Sequence, residues 1–251
     1  MPYLKQHPDT DAGLHLTLTS EWDNYRWGPL AGKPAVPGLV DEQGAMWGTV
    51  NGTVQHATAD EIEQEIRAQI DRSRSMGWEP THLDSHMGVL FANQAFFMRY
   101  LKVGMEEHIP VLFPGGHNFL INEEGNRGFT PEMAAAIGKQ LWDAGLPVID
   151  DLHASSYDWN KTKGMSDEAL RDYKTEKYIA LIAKAKPGIT EIIMHCTEPT
   201  EVFEHISSSG DTRKGDLLAM TNPVLKKYLE DHHIILTTWR ELSERRAKVK
   251  D

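Results

Sequence analysis

Apolar segments of strand length alternate with amphipathic segments of helix length along the whole of the 251 residues, and that alternation narrows the fold more than any other feature. Parallel strands need a long return connection, usually a helix, so the pattern predicts βαβ units and hence an α/β barrel or a doubly wound sheet. The spacing predicts a strand over residues 12–19, a long loop over residues 20–57 rich in Trp, Gly and Pro, and a helix from Thr58 to about Met76. That helix opens on the capping box Thr58-x-x-Glu61 and carries Ile62, Ile66 and Ile70 at four-residue spacing, an apolar stripe. Extended chain is expected at residues 81–90, a helix over residues 94–107 and a strand near residues 111–113. Thr130-Pro131-Glu132 reads as an N-cap, a proline in the first helical position and an acidic first turn, with Gly145 ending the helix. Further strands are predicted at residues 147–153, 189–196 and 234–239, and further helices at residues 166–186, 223–232 and beyond Trp239.

No linker, low-complexity tract or internal repeat interrupts this order, so a single domain over residues 1–251 is expected. No apolar run approaches the roughly 20 residues of a membrane-spanning helix, which argues against a membrane partner. The formal charge of −11 repels phosphate backbones, and no basic stripe is interleaved with aromatics, so nucleic acid is a poor partner and a neutral or cationic small molecule a better one. Cys196 is the only cysteine, which excludes an intrachain disulfide and a multi-cysteine zinc site; a metal would fall to His, Asp or Glu. The chain opens without a basic segment and apolar core, so a cytoplasmic protein is expected, an expectation that an upstream leader would overturn. A homodimer is compatible with the sequence, which does not fix the oligomeric state.

Side chains alternate faces along a strand. Over residues 14–19 the leucines share one face and His15, Thr17 and Thr19 the other, a pattern that suits a solvated edge histidine as well as a ligand. His82, Asp84 and His86 project together from the next extended segment. Such a face is either solvated or, in a βα-barrel, lines the C-terminal rim where catalytic groups gather. Its spacing also suits a ligand histidine whose tautomer is fixed by a carboxylate. His195 ends the apolar run of residues 191–195, where it either caps the strand or carries chemistry; His153 ends residues 148–153 in the same manner. Trp22, Tyr25, Trp27 and Trp47 lie in or beside the long loop, placed to stack on sugar rings or to pack in the core. There is no glycine-rich phosphate loop, nucleophile elbow or His-Glu-x-x-His, so nucleotide-binding, serine-hydrolase and zincin readings have no footing.

Gly13-Leu14-His15-Leu16-Thr17-Leu18-Thr19, Thr81-His82-Leu83-Asp84-Ser85-His86, Glu191-Ile192-Ile193-Met194-His195 and Trp239-Arg240-Glu241-Leu242, in that order, resemble the YdjC/ChbG family of carbohydrate deacetylases over essentially the whole chain. The resemblance implies an α/β fold, a distorted (β/α) barrel of polysaccharide-deacetylase-like type, and a metal-dependent hydrolase removing acetyl groups from N-acetylated sugars or oligosaccharides. It places the family's metal-binding histidines on His15 and His86, its general acid on His195, and Asp84 behind the ligands. The implied cofactor is a divalent metal, magnesium or zinc, and the implied partner a small carbohydrate substrate.

Two departures stand out. The family opens on a strand ending in an Asp-Asp pair, one carboxylate for the metal and one as general base, and nothing before His15 matches it; Asp9 and Asp11 lie too close to the His15 strand to take its place. The expected barrel thus lacks its first strand and helix, and a weakly held metal with little turnover is expected. Cys196 also stands where the family commonly has proline. Two rival readings are a hydrolase of glycosidic or phosphoester bonds using the same histidines, and an inactive barrel that only binds carbohydrate.

Overall fold

The computed structural model describes residues 2–125 and 128–249. Its helices are α1 (Pro2–Gln6), α2 (Val50–His56), α3 (Ala59–Ser75), α4 (Gln94–Glu106), α5 (Phe119–Glu123), α6 (Pro131–Asp143), α7 (Asp167–Ile182), α8 (Glu201–Glu204), α9 (Gly210–Met220), α10 (Pro223–Asp231) and α11 (Trp239–Ala247). Four strands punctuate them: β1 (Leu14–Leu16), β2 (Leu83–Ser85), β3 (Asp151–His153) and β4 (Thr190–Ile192). The chain divides into two compact units, residues 1–112, 139–148 and 237–251 in one and residues 113–138 and 149–236 in the other, with the division falling inside α6.

In the first unit β1 and β2 pair in parallel with His15 opposite Asp84, and Leu83 makes a single parallel bridge to Val111. Both halves of the Thr58–Glu61 capping box form, and Ile62, Ile66 and Ile70 are buried as the spacing predicts. Burying each such side chain contributes ~1.5–3 kcal/mol. Tyr100 of α4 reaches under the strands, its hydroxyl donating to the Leu83 carbonyl at 2.7 Å, so α4 is pinned beneath β2. Thr238 and Glu241 form a second capping box at α11, and Asp11 accepts the backbone N–H groups of Trp239 and Arg240 at that helix's N-terminus.

In the second unit β3 and β4 pair in parallel with His153 opposite Ile192, and Pro114 bridges to Ile149. Asp151 accepts the Leu120 and Ile121 N–H groups and so caps α5. Helices α7 and α9 pack together, and Tyr178, Ala219 and Leu225 form a buried cluster between α7, α9 and α10.

Strand–helix alternation and parallel pairing agree with the sequence, while the strands are shorter than predicted. Ladders form only where a neighbour supplies partners along the whole run. Residues 234–238 lie outside any strand, with Ile235 83% and Leu236 77% exposed, and a helix begins at Trp239 instead. The predicted extended run of residues 81–90 stops at Ser85, because Met87 (φ 52°) and Gly88 (φ 68°) turn left-handed and the chain enters a 3-10 segment, His86–Phe91. The long loop holds α2, which Thr49 caps. Helix α9 has no counterpart in the sequence reading. Among the described residues no helix is long and apolar enough to cross a membrane.

Candidate functional site

The register of β1 against β2 sets the first contact. His15 lies directly across from Asp84, and its Nδ1 donates to Asp84 Oδ2 at 2.7 Å. An ionised carboxylate only accepts, so His15 donates from Nδ1, and in the neutral imidazole Nε2 then carries the lone pair. His86, the first residue past β2, presents Nδ1 to that Nε2 at 3.1 Å, with the rings edge to face. On its far side His86 Nε2 donates to Glu21 Oε1 at 3.0 Å. Each imidazole is thus anchored at one nitrogen by its own carboxylate, and the two inner nitrogens face one another.

Two facing lone pairs repel unless a proton or a cation lies between them, and neutral imidazole nitrogens are common donors to divalent metals. The donor chemistry suits a divalent metal. The pair supplies two donors; among the described residues no group of three His, Cys, Asp or Glu side chains is placed to hold an ion. Glu21 Oε2 is buried beside the pair without a hydrogen-bond partner, an uncompensated acceptor where a positive centre would be favoured.

His82 does not join them as a third donor. Its ring stacks on Trp239, and burial pushes its pKa below the usual imidazole value against the charges of Asp84 and Asp11. Gly13 permits this, since a Cβ there would stand 2.3 Å from the His82 ring. Thr17 donates its hydroxyl to the His15 carbonyl, and Thr19 to the Met87 sulfur at 3.5 Å. In the loop, Trp22, Tyr25 and Trp27 gather with centroids 5.5–6.4 Å apart, one residue beyond Glu21, whereas Trp47 stacks on His56 and donates its indole N–H to Gly38.

The structure therefore brings together His15, Asp84 and His86 as the sequence suggests. Glu21, 65 positions from His86, had no spacing signal to reveal it. His195 follows β4 in the second unit, where its backbone N–H donates to Asp216 and its ring stands edge-on to Tyr157 at 5.2 Å. His153 is buried against Glu124; although burial opposes it, the His153 hydrogen bond and charge hold the Glu124 carboxyl below its ordinary value.

Parallel strand pairs joined through helices, carrying a carboxylate-anchored pair of histidines, define a mixed α/β protein with a histidine–carboxylate centre. The family model described as YdjC-like protein matches residues 1–231, and the chain belongs to that family. It is 26% identical over 234 residues to a carbohydrate deacetylase of Thermus thermophilus, covering 93% of this chain and 78% of the relative. With a carbohydrate deacetylase of Brevibacillus brevis it shares 28% over 243 residues, 95% of this chain and 80% of the relative. A crystal structure from Enterococcus faecalis, described as that of a putative cellobiose-phosphate cleavage protein, superposes with a TM-score of 0.70 at 22% identity, covering 96% of this chain and 81% of that one. This last likeness shows the shared fold.

Proposed function

We propose that the protein is a metal-dependent carbohydrate deacetylase that hydrolyses the acetamide of N-acetylated sugars or oligosaccharides. The observation that carries this is the His15–His86 pair, two ring nitrogens converging at 3.1 Å with each ring's other nitrogen held by a carboxylate. The deacetylase relatives, aligned over more than nine-tenths of the chain, support the substrate class. On the same grounds, the fold type is assigned as the distorted (β/α) barrel of polysaccharide-deacetylase-like proteins.

His15 and His86 would hold the ion, magnesium or zinc, with Asp84 and Glu21 each anchoring the outer nitrogen of one ring. Bound there, a divalent metal polarises an amide carbonyl and makes a water more acidic. His195 is assigned the proton that the leaving amine takes as the C–N bond breaks, giving acetate and a free amino sugar. Trp22, Tyr25 and Trp27 offer ring faces of the kind that stack on sugars.

The test is acetate release from N-acetylglucosamine oligomers with magnesium or zinc, and its loss on chelation. Release of sugar or phosphate in place of acetate, or acetate release indifferent to chelator, would overturn the reading.

A further inference from the structure

The second unit contains a charged pair that the proposed reaction does not use. Lys174 and Asp216 are both 0% exposed, with Nζ and Oδ1 3.0 Å apart. Lys174 also donates to Thr212 Oγ1 at 2.8 Å, and the Tyr178 hydroxyl donates to Asp216 Oδ1 at 2.8 Å. Matched four-residue steps make this possible: Lys174 and Tyr178 lie one turn apart on α7, facing Thr212 and Asp216 one turn apart on α9. Gly215 allows the helices to close over the lysine, since a Cβ there would stand 2.8 Å from Lys174 Cγ and 2.9 Å from Leu170 Cδ1. Burial, reinforced by the Asp216 charge, holds the Tyr178 hydroxyl protonated far above the ordinary phenol range.

Stability alone does not account for such an arrangement. Desolvating each ion costs several kcal/mol, and apolar replacements of buried pairs are often neutral or stabilising. What the pair does is hold a carboxylate in one orientation and aim its second oxygen outward from the helices. Asp216 Oδ2 accepts the backbone N–H of His195 at 3.1 Å. The Thr197 N–H donates to the Arg213 carbonyl at 3.2 Å and ties the same stretch to α9 a second time.

We infer that Asp216, its charge balanced by Lys174, is a positioning residue for His195, clamping the backbone that leaves β4 so that the imidazole is presented from one fixed point. A charge-assisted bond to a carboxylate is roughly twice as strong as a neutral one, and Lys174 and Tyr178 keep that carboxylate from turning. The inference rests on His195 being the proton donor of the proposed reaction.

Two double variants of the whole chain test it, Lys174→Met/Asp216→Leu and Lys174→Met/Asp216→Asn. Neither leaves a lone buried charge; they differ in whether an acceptor for the His195 N–H remains. Hydrogen exchange at the His195 amide is expected to accelerate about 100-fold in the leucine variant relative to the Ile192 amide, and to stay within about tenfold of the parent in the asparagine variant. Acetate release should follow, with kcat about 10–100-fold lower in the leucine variant at a KM within about twofold, and largely recovered by asparagine. Equal exchange at His195 in the two variants, or equal kcat per folded molecule, overturns the inference. If the parent protein releases no acetate with either metal, the proposed reaction fails while the exchange contrast still decides whether the clamp exists.

Discussion

The two polar centres are built on opposite terms. In the first unit the His15 side chain is 52% exposed and that of Asp84 23%, and the inner nitrogens of the histidine pair face each other at 3.1 Å. In the second, Lys174 and Asp216 are 0% exposed; Lys174, Tyr178 and the His195 N–H converge on the one carboxylate, and Thr212 accepts from Lys174. Exposed ion pairs contribute about 0–1 kcal/mol and are free to change partners, whereas a buried pair cannot lose one member without a large cost. The first arrangement suits an exchange of partners and the second a fixed geometry.

The largest test of that contrast is thermodynamic. Asp216→Ala strands a buried ammonium and is expected to lower unfolding stability by about 3–5 kcal/mol in urea titrations, while Asp84→Ala costs under about 1 kcal/mol. Comparable losses in the two variants would break the distinction. Next in size is metal affinity: His15→Ala should weaken magnesium or zinc binding by at least about 100-fold in calorimetry, with stability near that of the parent.

Smaller still is the effect of the carboxylates behind the histidines. Glu21→Ala and Asp84→Ala are each expected to weaken metal binding by about 10–100-fold. In the metal-free protein, 15N shifts should show His86 losing its Nε2–H tautomer in the Glu21 variant alone, and an unchanged tautomer would remove Glu21 from the site. The smallest effect concerns pH. Burial opposes ionisation of Glu63, yet Lys102 and Arg67 pull its carboxyl down to about 2. Because the folded pKa lies below the unfolded one, its stabilisation is complete above about pH 4.5 and fades as pH falls towards 2. Glu63→Gln should flatten stability across that window, and an unaltered acid limb would exclude Glu63 as its source.

Legibility in the sequence followed the range of the interactions. The α3 cap and the stripe Ile62, Ile66 and Ile70 could be read because each signal is complete within a few residues. Asp84 and His86 were visible as a two-residue spacing. Strand lengths were not, since the run Ile234–Ile235–Leu236 has strand-forming side chains but no ladder partner among the described residues. Helix α9 escaped because Gly210, Gly215 and a buried Asp216 break the apolar periodicity, and two of those features serve the approach of Lys174. Glu21 and the Asp216–His195 contact are products of tertiary folding alone.

The pairing of His15 with Asp84 across the β1–β2 ladder also makes the site a reporter of strand alignment. A slip of one residue would set Leu83 or Ser85 opposite His15 and turn the carboxylate to the other side of the sheet. His86, two residues on, would be displaced with it, so misfolded molecules would lack the histidine pair outright instead of holding it loosely. A partly misassembled preparation should accordingly titrate metal as a reduced number of sites of full strength, which separates folding yield from affinity in a single binding curve.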